Sequence, residues 1–313
     1  MTLLTIFTAP KPFTNPHIAI IQRNALRSWV QLGPDVEVFL IGEEEGMAQA
    51  AAELGIRQLP DVKRNSSGTP LVSSIFDLAR QHGSGELLLY INADVLLLPE
   101  TLTAAKAVMR QAGKFLIVGQ RWDLDVRQPL CFDETWPGEI ERILAEKGRL
   151  HPRGGSDYFL FPRDCFQSVP DFAIGRAGWD NWMIYEARRQ GWATIDATTD
   201  LRVIHQDHDY SHLPNGQPHY RLPETFENVR LAGGKRTIFN LVDADRRLVQ
   251  GKLIAPERTW KKFWREVEIF PLVTLKSMPL GQASYAVFHP LKAYREFRAW
   301  QRSRGSKQPV SQE

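Results

Sequence analysis

The chain has 313 residues, of which 43% are hydrophobic and 24% charged, a balance that excludes an intrinsically disordered protein and leaves room for one large domain or two small ones. A formal net charge of +3 gives no general nucleic-acid signature, and two cysteines, Cys131 and Cys165, cannot make a disulfide framework. Charge is uneven along the chain: from Lys252 onward there are 12 Lys+Arg against 5 Asp+Glu, whereas the rest carries 27 against 31.

The first residues, MTLLTIFTAPKPF, lack a basic leader and break at Pro10, so 2–8 reads as a first strand and not as a signal peptide. Residues 18–32 carry apolar positions at helical spacing and close at Gly33-Pro34. A strand over 36–41, an Ala-rich helix over 47–54, a short strand over 56–59, a helix over 70–82 and an apolar strand over 86–91 follow. Further strands are expected over 115–118, 158–161, 193–195 and 201–205, with helices over 99–110 and 178–190. Strands and helices alternating through residue 120 predict an α/β fold, a Rossmann-like, mostly parallel sheet covered on both faces. Ligands of such sheets sit beyond the carboxyl ends of the strands. No run of about 18 apolar residues is present, so a cytoplasmic protein is expected.

Four stretches could carry chemistry. Asn92-Ala93-Asp94 follows the apolar strand, and a carboxylate there is costly unless a cation binds it. A divalent ion bridging phosphates would serve, and a turn-capping Asp is the plainer alternative. His205-Gln206-Asp207-His208-Asp209-Tyr210-Ser211-His212 packs three imidazoles and two carboxylates into eight residues, without the spacing of a zinc template. Gly178-Trp179-Asp180-Asn181-Trp182 places an acid at a helix start between tryptophans, readable as an N-terminal cap or as a general base beside a sugar-stacking platform. In Gly154-Gly155-Ser156-Asp157, Asp157 could grip a hydroxyl or simply sit in a turn.

Taken in order over residues 2–212, these pieces resemble the GT-A class of glycosyltransferases. The resemblance implies a nucleoside-diphosphate sugar donor (UDP- or GDP-linked) and Mn²⁺ or Mg²⁺ held by Asp94 with His205 or His208. It also implies a donor site lined by Thr8, Ala9, Lys11, Pro70, Asn92, Ala93 and Asp94, with Asp180 as base and Asp157, Trp179 and Trp182 on the acceptor side. Asn92 stands where the class has an acid; it can accept a hydrogen bond from a ribose hydroxyl but brings no charge. The acceptor would be a glycan, a lipid-linked sugar or a small molecule. A metal-dependent hydrolase using His205 to His212 and a non-catalytic carbohydrate-binding protein are the competing readings.

Residues 1–255 are expected to form the catalytic domain, 1–120 as its nucleotide-sugar half and 121–255 as its acceptor half. Residues 256–313 would be a basic, aromatic helical extension with 303–313 disordered. In Trp260-Lys261-Lys262-Phe263-Trp264-Arg265 a helix would gather the aromatics on one face, to lie on an anionic membrane or to pack on the catalytic domain.

Overall fold

The computed structural model describes residues 2–208 and 222–305, with the side chains of 303–305 left out. Asp209 to His212 therefore lie outside the described residues, as does 306–313 of the expected disordered end; 303–305 instead close a helix. The described residues up to 256, apart from 189–191, form one compact unit, and 189–191 with 257 onward form a second.

In the first unit, β1 (Leu4–Thr8), α1 (Pro16–Val30), β2 (Val36–Ile41), α2 (Met47–Leu54), β3 (Arg57–Leu59), α3 (Val72–His82) and β4 (Leu87–Ile91) alternate as their hydrophobic patterns predict. Pro16 opens α1, and the Asn15 side chain accepts hydrogen bonds from the backbone N–H groups of His17 and Ile18. Next come β5 (Val95–Leu97), α4 (Glu100–Met109), β6 (Phe115–Val118), β7 (Arg121–Leu124), α5 (Trp136–Lys147), β8 (Arg149–Leu150) and β9 (Tyr158–Pro162). The unit is completed by α6 (Trp179–Gln190, apart from its last two residues), β10 (Ala193–Asp196), β11 (Val203–Gln206), α7 (Pro223–Leu231), β12 (Arg246–Val249) and β13 (Lys252–Ile254).

Among the described residues, nine strands make the main sheet, in the order β13-β12-β10-β6-β9-β4-β1-β2-β3. Neighbours run parallel except at β12–β13 and around β9, which is inserted antiparallel between β4 and β6. This inversion places the amino end of β9 on the same rim as the carboxyl ends of β1, β4 and β6. Strands β1, β4 and β6 are buried along their whole length, which is why they read as unbroken apolar runs.

A smaller sheet, β5-β11-β7-β8, stands beside the rim. In it β11 pairs antiparallel with β5, setting His205 opposite Val95, and parallel with β7, setting His205 opposite Asp123. Helix α1 ties this sheet down. The fully buried Gln206 donates from Nε2 to the Ile21 carbonyl at 2.7 Å, and its Oε1 accepts from Asn24 Nδ2 at 3.0 Å. The Trp29 indole N–H donates to the Val95 carbonyl at 2.9 Å.

The second unit holds α8 (Trp260–Val273), α9 (Met278–Phe288) and α10 (Pro290–Gly305). Helices α8 and α9 meet at Gly281, where an added Cβ would lie 2.2 Å from the Leu272 side chain. The Ser284 hydroxyl donates to the Glu268 carbonyl at 2.8 Å and closes the same contact. No helix among the described residues is long and apolar enough to cross a membrane.

Replacing Gln206 by Leu keeps the bulk but leaves Asn24 Nδ2 and the Ile21 carbonyl short of a partner. The expected loss is about 1–3 kcal/mol of unfolding free energy, read from urea denaturation; an unchanged midpoint would show that the network adds nothing.

Candidate functional site

The rim of the main sheet is where the sequence-predicted residues gather. Thr8 ends β1, and its buried hydroxyl has no hydrogen-bond partner among the described residues. Ala9 and Lys11 continue from it, half-buried. Strand β4 runs out into the turn Asn92-Ala93-Asp94, closed by the Val95 N–H donating to the Asn92 carbonyl at 3.2 Å, with Ala93 buried beneath. Pro70 lies in the connection between β3 and α3, and its carbonyl accepts from the Ile174 N–H at 3.1 Å.

Asp94 and the two described histidines come together although more than a hundred positions separate them. The reason is the β5–β11 pairing: the Gln206 N–H donates to the Asp94 carbonyl at 3.1 Å, which fixes His205 and His208 beside the Asp94 carboxylate. Oδ2 of Asp94 lies 3.1 Å from His208 Nε2 and 3.8 Å from the Lys11 ammonium, and the side chain keeps only 13% of its exposure. Burial alone would raise the pKa of this carboxyl. The His208 hydrogen bond and the Lys11 ammonium, with the His205 imidazole close by, outweigh burial and hold it below the usual carboxylate range. Burial pushes Lys11 down, opposed by Asp94, and burial likewise lowers His205, favouring its neutral, metal-ligating form.

The ligand atoms of Asp94, His205 and His208 lie within 4.8 Å of one another, and so do those of Asp123, His205 and Asp207. Asp94 Oδ1 is buried without a hydrogen-bond partner among the described residues, while His205 Nδ1 faces Asp123 Oδ1 at 3.4 Å. Buried polar atoms of this kind are rare unless something else satisfies them, so the residues fit a divalent ion. One carboxylate and two imidazoles make a set richer in nitrogen than Mg²⁺ favours, which suits Mn²⁺ better.

Two expected site residues beside this centre are tied into the protein's own network. Asn92 is engaged by the protein: Oδ1 accepts from the Tyr90 hydroxyl at 3.1 Å and Nδ2 donates to Asp157 Oδ1 at 2.7 Å. Asp157 is buried and held by Arg121, whose Nη1 donates to its two oxygens at 2.9 and 2.7 Å. It is an internal counter-ion and has little left with which to grip a sugar. Arg121 also donates from Nε to Asp123 at 2.9 Å, and Asp123 meets His151 Nδ1 at 2.7 Å. Sequence reading missed Arg121, Asp123 and His151. Their available signal was the Arg-Trp-Asp alternation, which puts Arg121 and Asp123 on one face of a strand.

Asp180 is the second residue of α6, inside its first turn and not at its cap. Its Oδ1 accepts from the Gly178 N–H at 3.1 Å, and Gly178 adopts φ 108°, a conformation that favours glycine. Burial pushes the Asp180 carboxyl up to about 6; backbone N–H groups of Asn181 and Gly178 pull against it and the Asp157 charge adds to it. Tyr90 stands among these acids: burial, then Asp94, Asp157 and Asp180, raise its hydroxyl far above the ordinary range and keep it neutral.

The sugar-stacking platform is not formed. Trp179 is buried edge-on against Tyr90, with ring centres 5.0 Å apart, and beside Phe159 at 5.3 Å. Trp182 is buried against Phe172 at 5.4 Å. Both rings spend their area on the core, the usual fate of large aromatics.

No protein-family description matches the sequence, and no curated protein matches it. Solved structures similar to it include mannosyltransferase PcManGT from Pyrobaculum calidifontis in complex with GDP-Man and Mn²⁺, at 13% identity and a TM-score of 0.41. That similarity covers 66% of this chain and only 58% of the mannosyltransferase. Glucosyl-3-phosphoglycerate synthase from Mycobacterium tuberculosis, in complex with Mn²⁺, UDP and glucosyl-3-phosphoglycerate, is similar at 14% identity and a TM-score of 0.47, over 75% of this chain and 81% of that one. TarS 1-349 of S. aureus with UDP-GlcNAc is similar at 13% identity and a TM-score of 0.47, over 92% and 80%.

A raised carboxyl pKa has a definite sign in stability. Protonated Asp180 is favoured by the folded state, so its contribution is full below the ordinary value of 3.8 and is lost as pH rises through about 6. Asp180→Asn is expected to flatten the fall in thermal midpoint across that interval; an unaltered profile would place the fall elsewhere.

Proposed function

We propose that the chain is a glycosyltransferase that moves a sugar from a nucleoside-diphosphate sugar, UDP- or GDP-linked, to a hydroxyl of a glycan, lipid-linked or small-molecule acceptor. The observation that carries this reading is the Asp94 carboxylate, set at the rim of a mostly parallel sheet with one buried oxygen lacking a hydrogen-bond partner and with Lys11, His205 and His208 around it. Asp94, His205 and His208 would hold Mn²⁺ or Mg²⁺, which when bound supplies positive charge to the diphosphate leaving group.

The chain's own residues do the rest in this reading. Thr8, Ala9 and Lys11 at the end of β1 and Pro70 before α3 border the nucleotide, in the place where open α/β sheets take up ligands. The Lys11 ammonium adds a second positive charge for the phosphates. As the acceptor oxygen bonds to the anomeric carbon, the bond from that carbon to the diphosphate breaks, and the diphosphate leaves with the electron pair. A carboxylate oxygen of Asp180 takes the acceptor proton. A pKa of about 6 makes it a stronger base than an ordinary Asp while leaving it mostly ionised at neutral pH. This is transfer with inversion. The competing readings draw less support: His205 and His208 share a cluster with Asp94 at the sheet rim, and a sugar-binding platform built on Trp179 and Trp182 would want those two rings exposed, whereas both are buried. Both cysteines are free, in keeping with a reducing cytoplasm.

A thermal-shift screen of UDP-, GDP-, CMP- and dTDP-sugars with and without Mn²⁺ tests the donor site. A fitting donor at a hundred times its Kd should raise Tm by roughly 5–10 °C, and Asp94→Asn should lose the Mn²⁺-dependent part. No response to any nucleotide sugar, or phosphoester hydrolysis without donor consumption, would reject the reading.

Turnover should rise with pH through about 6 and then level off, following ionisation of Asp180. Asp180→Asn should lower kcat by about 10²–10⁴-fold with donor affinity unchanged. A variant that keeps near-normal turnover would remove Asp180 from the chemistry.

A further inference from the structure

The second unit leaves apolar stripes in solvent on three successive helices. On α8 the exposed side chains Trp260, Phe263, Trp264, Val267 and Phe270 recur at helical spacing and share one face, while Ile269, Leu272 and Val273 are buried. Trp260 keeps 77% of its exposure. Helix α9 exposes Leu280 and Val287, two turns apart on one side. On α10, Leu291, Tyr294, Phe297 and Trp300 are exposed at every third position. The rings touch one another, with Phe263 and Trp264 centres 5.2 Å apart and Phe297 stacked on Trp300 at 5.9 Å. Exposed apolar patches of this extent mark interaction surfaces.

Charge narrows the partner. Residues 257–302 carry nine Lys+Arg against four Asp+Glu. On α10, Lys292, Arg295, Arg298 and Arg302 follow one side of the helix, adjacent to the aromatic arc. A second copy of the chain would bring like charge against like. The α8 stripe contains no polar side chain within it, so a partner recognised through specific hydrogen bonds has little to read there. A fluid apolar layer under an anionic surface needs no such contacts. Rings at the boundary of headgroups and acyl chains, with basic groups reaching lipid phosphates, match both features at once.

We propose that α8, α9 and α10 dock on an anionic lipid bilayer, lying in its surface and not crossing it. This surface stands on observations separate from those at Asp94, so either conclusion survives failure of the other. The test is flotation of the full chain with vesicles of phosphatidylcholine alone and of phosphatidylcholine with phosphatidylglycerol, paired with quenching of tryptophan fluorescence by brominated lipid. The chain should float with the anionic vesicles, bind less as salt is added, and be quenched only when bound. Trp264→Glu combined with Leu291→Glu, both at exposed positions, should weaken partition by about tenfold or more, with the circular-dichroism spectrum and the donor-induced thermal shift unchanged. Absence of flotation by the unaltered chain would overturn the proposal, as would equal binding to neutral vesicles. Reversible dimerisation abolished by the same two substitutions, without vesicle binding, would assign the stripes to a second copy instead.

Discussion

Asp94 keeps a negative charge at the edge of a sheet whose central strands are apolar throughout, and much of the surrounding chain offsets that charge. An isolated carboxylate in such a place would be protonated or would pull the strand end into water. Instead the chain turns sharply after β4, adds the short strand β5, and pairs it with β11 so that two imidazoles and an ammonium face the acid. The small sheet has this pairing as its centre, and α1 holds it in place through Gln206, Asn24 and Trp29.

A second charged layer lies next to the first. Arg121 binds both Asp157 and Asp123, Asn92 joins Asp157 to Tyr90, and Asp123 meets His151. Nearly every acid near the rim thus has a cation or an amide of its own. Asp180 differs: backbone N–H groups are its main support, and its carboxyl is pushed up where that of Asp94 is held down. Two carboxyls on one rim, one held down at Asp94 and one pushed up at Asp180, are thus set apart by environment alone.

Much of the fold was legible because its central strands are buried on both faces, so that β1, β4 and β6 appear as largely apolar runs between amphipathic helices. Asp94 was legible for the same reason, as a charge abutting such a run. What stayed hidden depended on pairing at a distance. Nothing local marks 95–97 as a strand, since it is three residues long and recognisable only beside β11. The orientation of β9 is equally silent in YFLF, which would serve in either direction. The tryptophans flanking Asp180 misled for a different reason: an aromatic beside an acid suits a sugar platform and a core equally well, and only the ring neighbours decide it. Arg121 was passed over because one arginine in an irregular stretch carries no pattern until its two carboxylate partners are known.

The inverted strand has a topological consequence. Because β9 runs against β4 and β6, the chain departs from the rim after β6 and returns to that same edge at Asp157. Within that excursion β7 and β8 form a clasp, with Asp123 opposite Arg149, and residues 125–148, which include α5, are tethered at both ends. The stretches on either side of α5 can lengthen at a cost of only about 0.6 kcal/mol per doubling, leaving the hydrogen-bond register of the main sheet untouched. The architecture therefore separates a fixed floor from an adjustable wall, so that the wall can be remodelled while the floor beneath it stays the same.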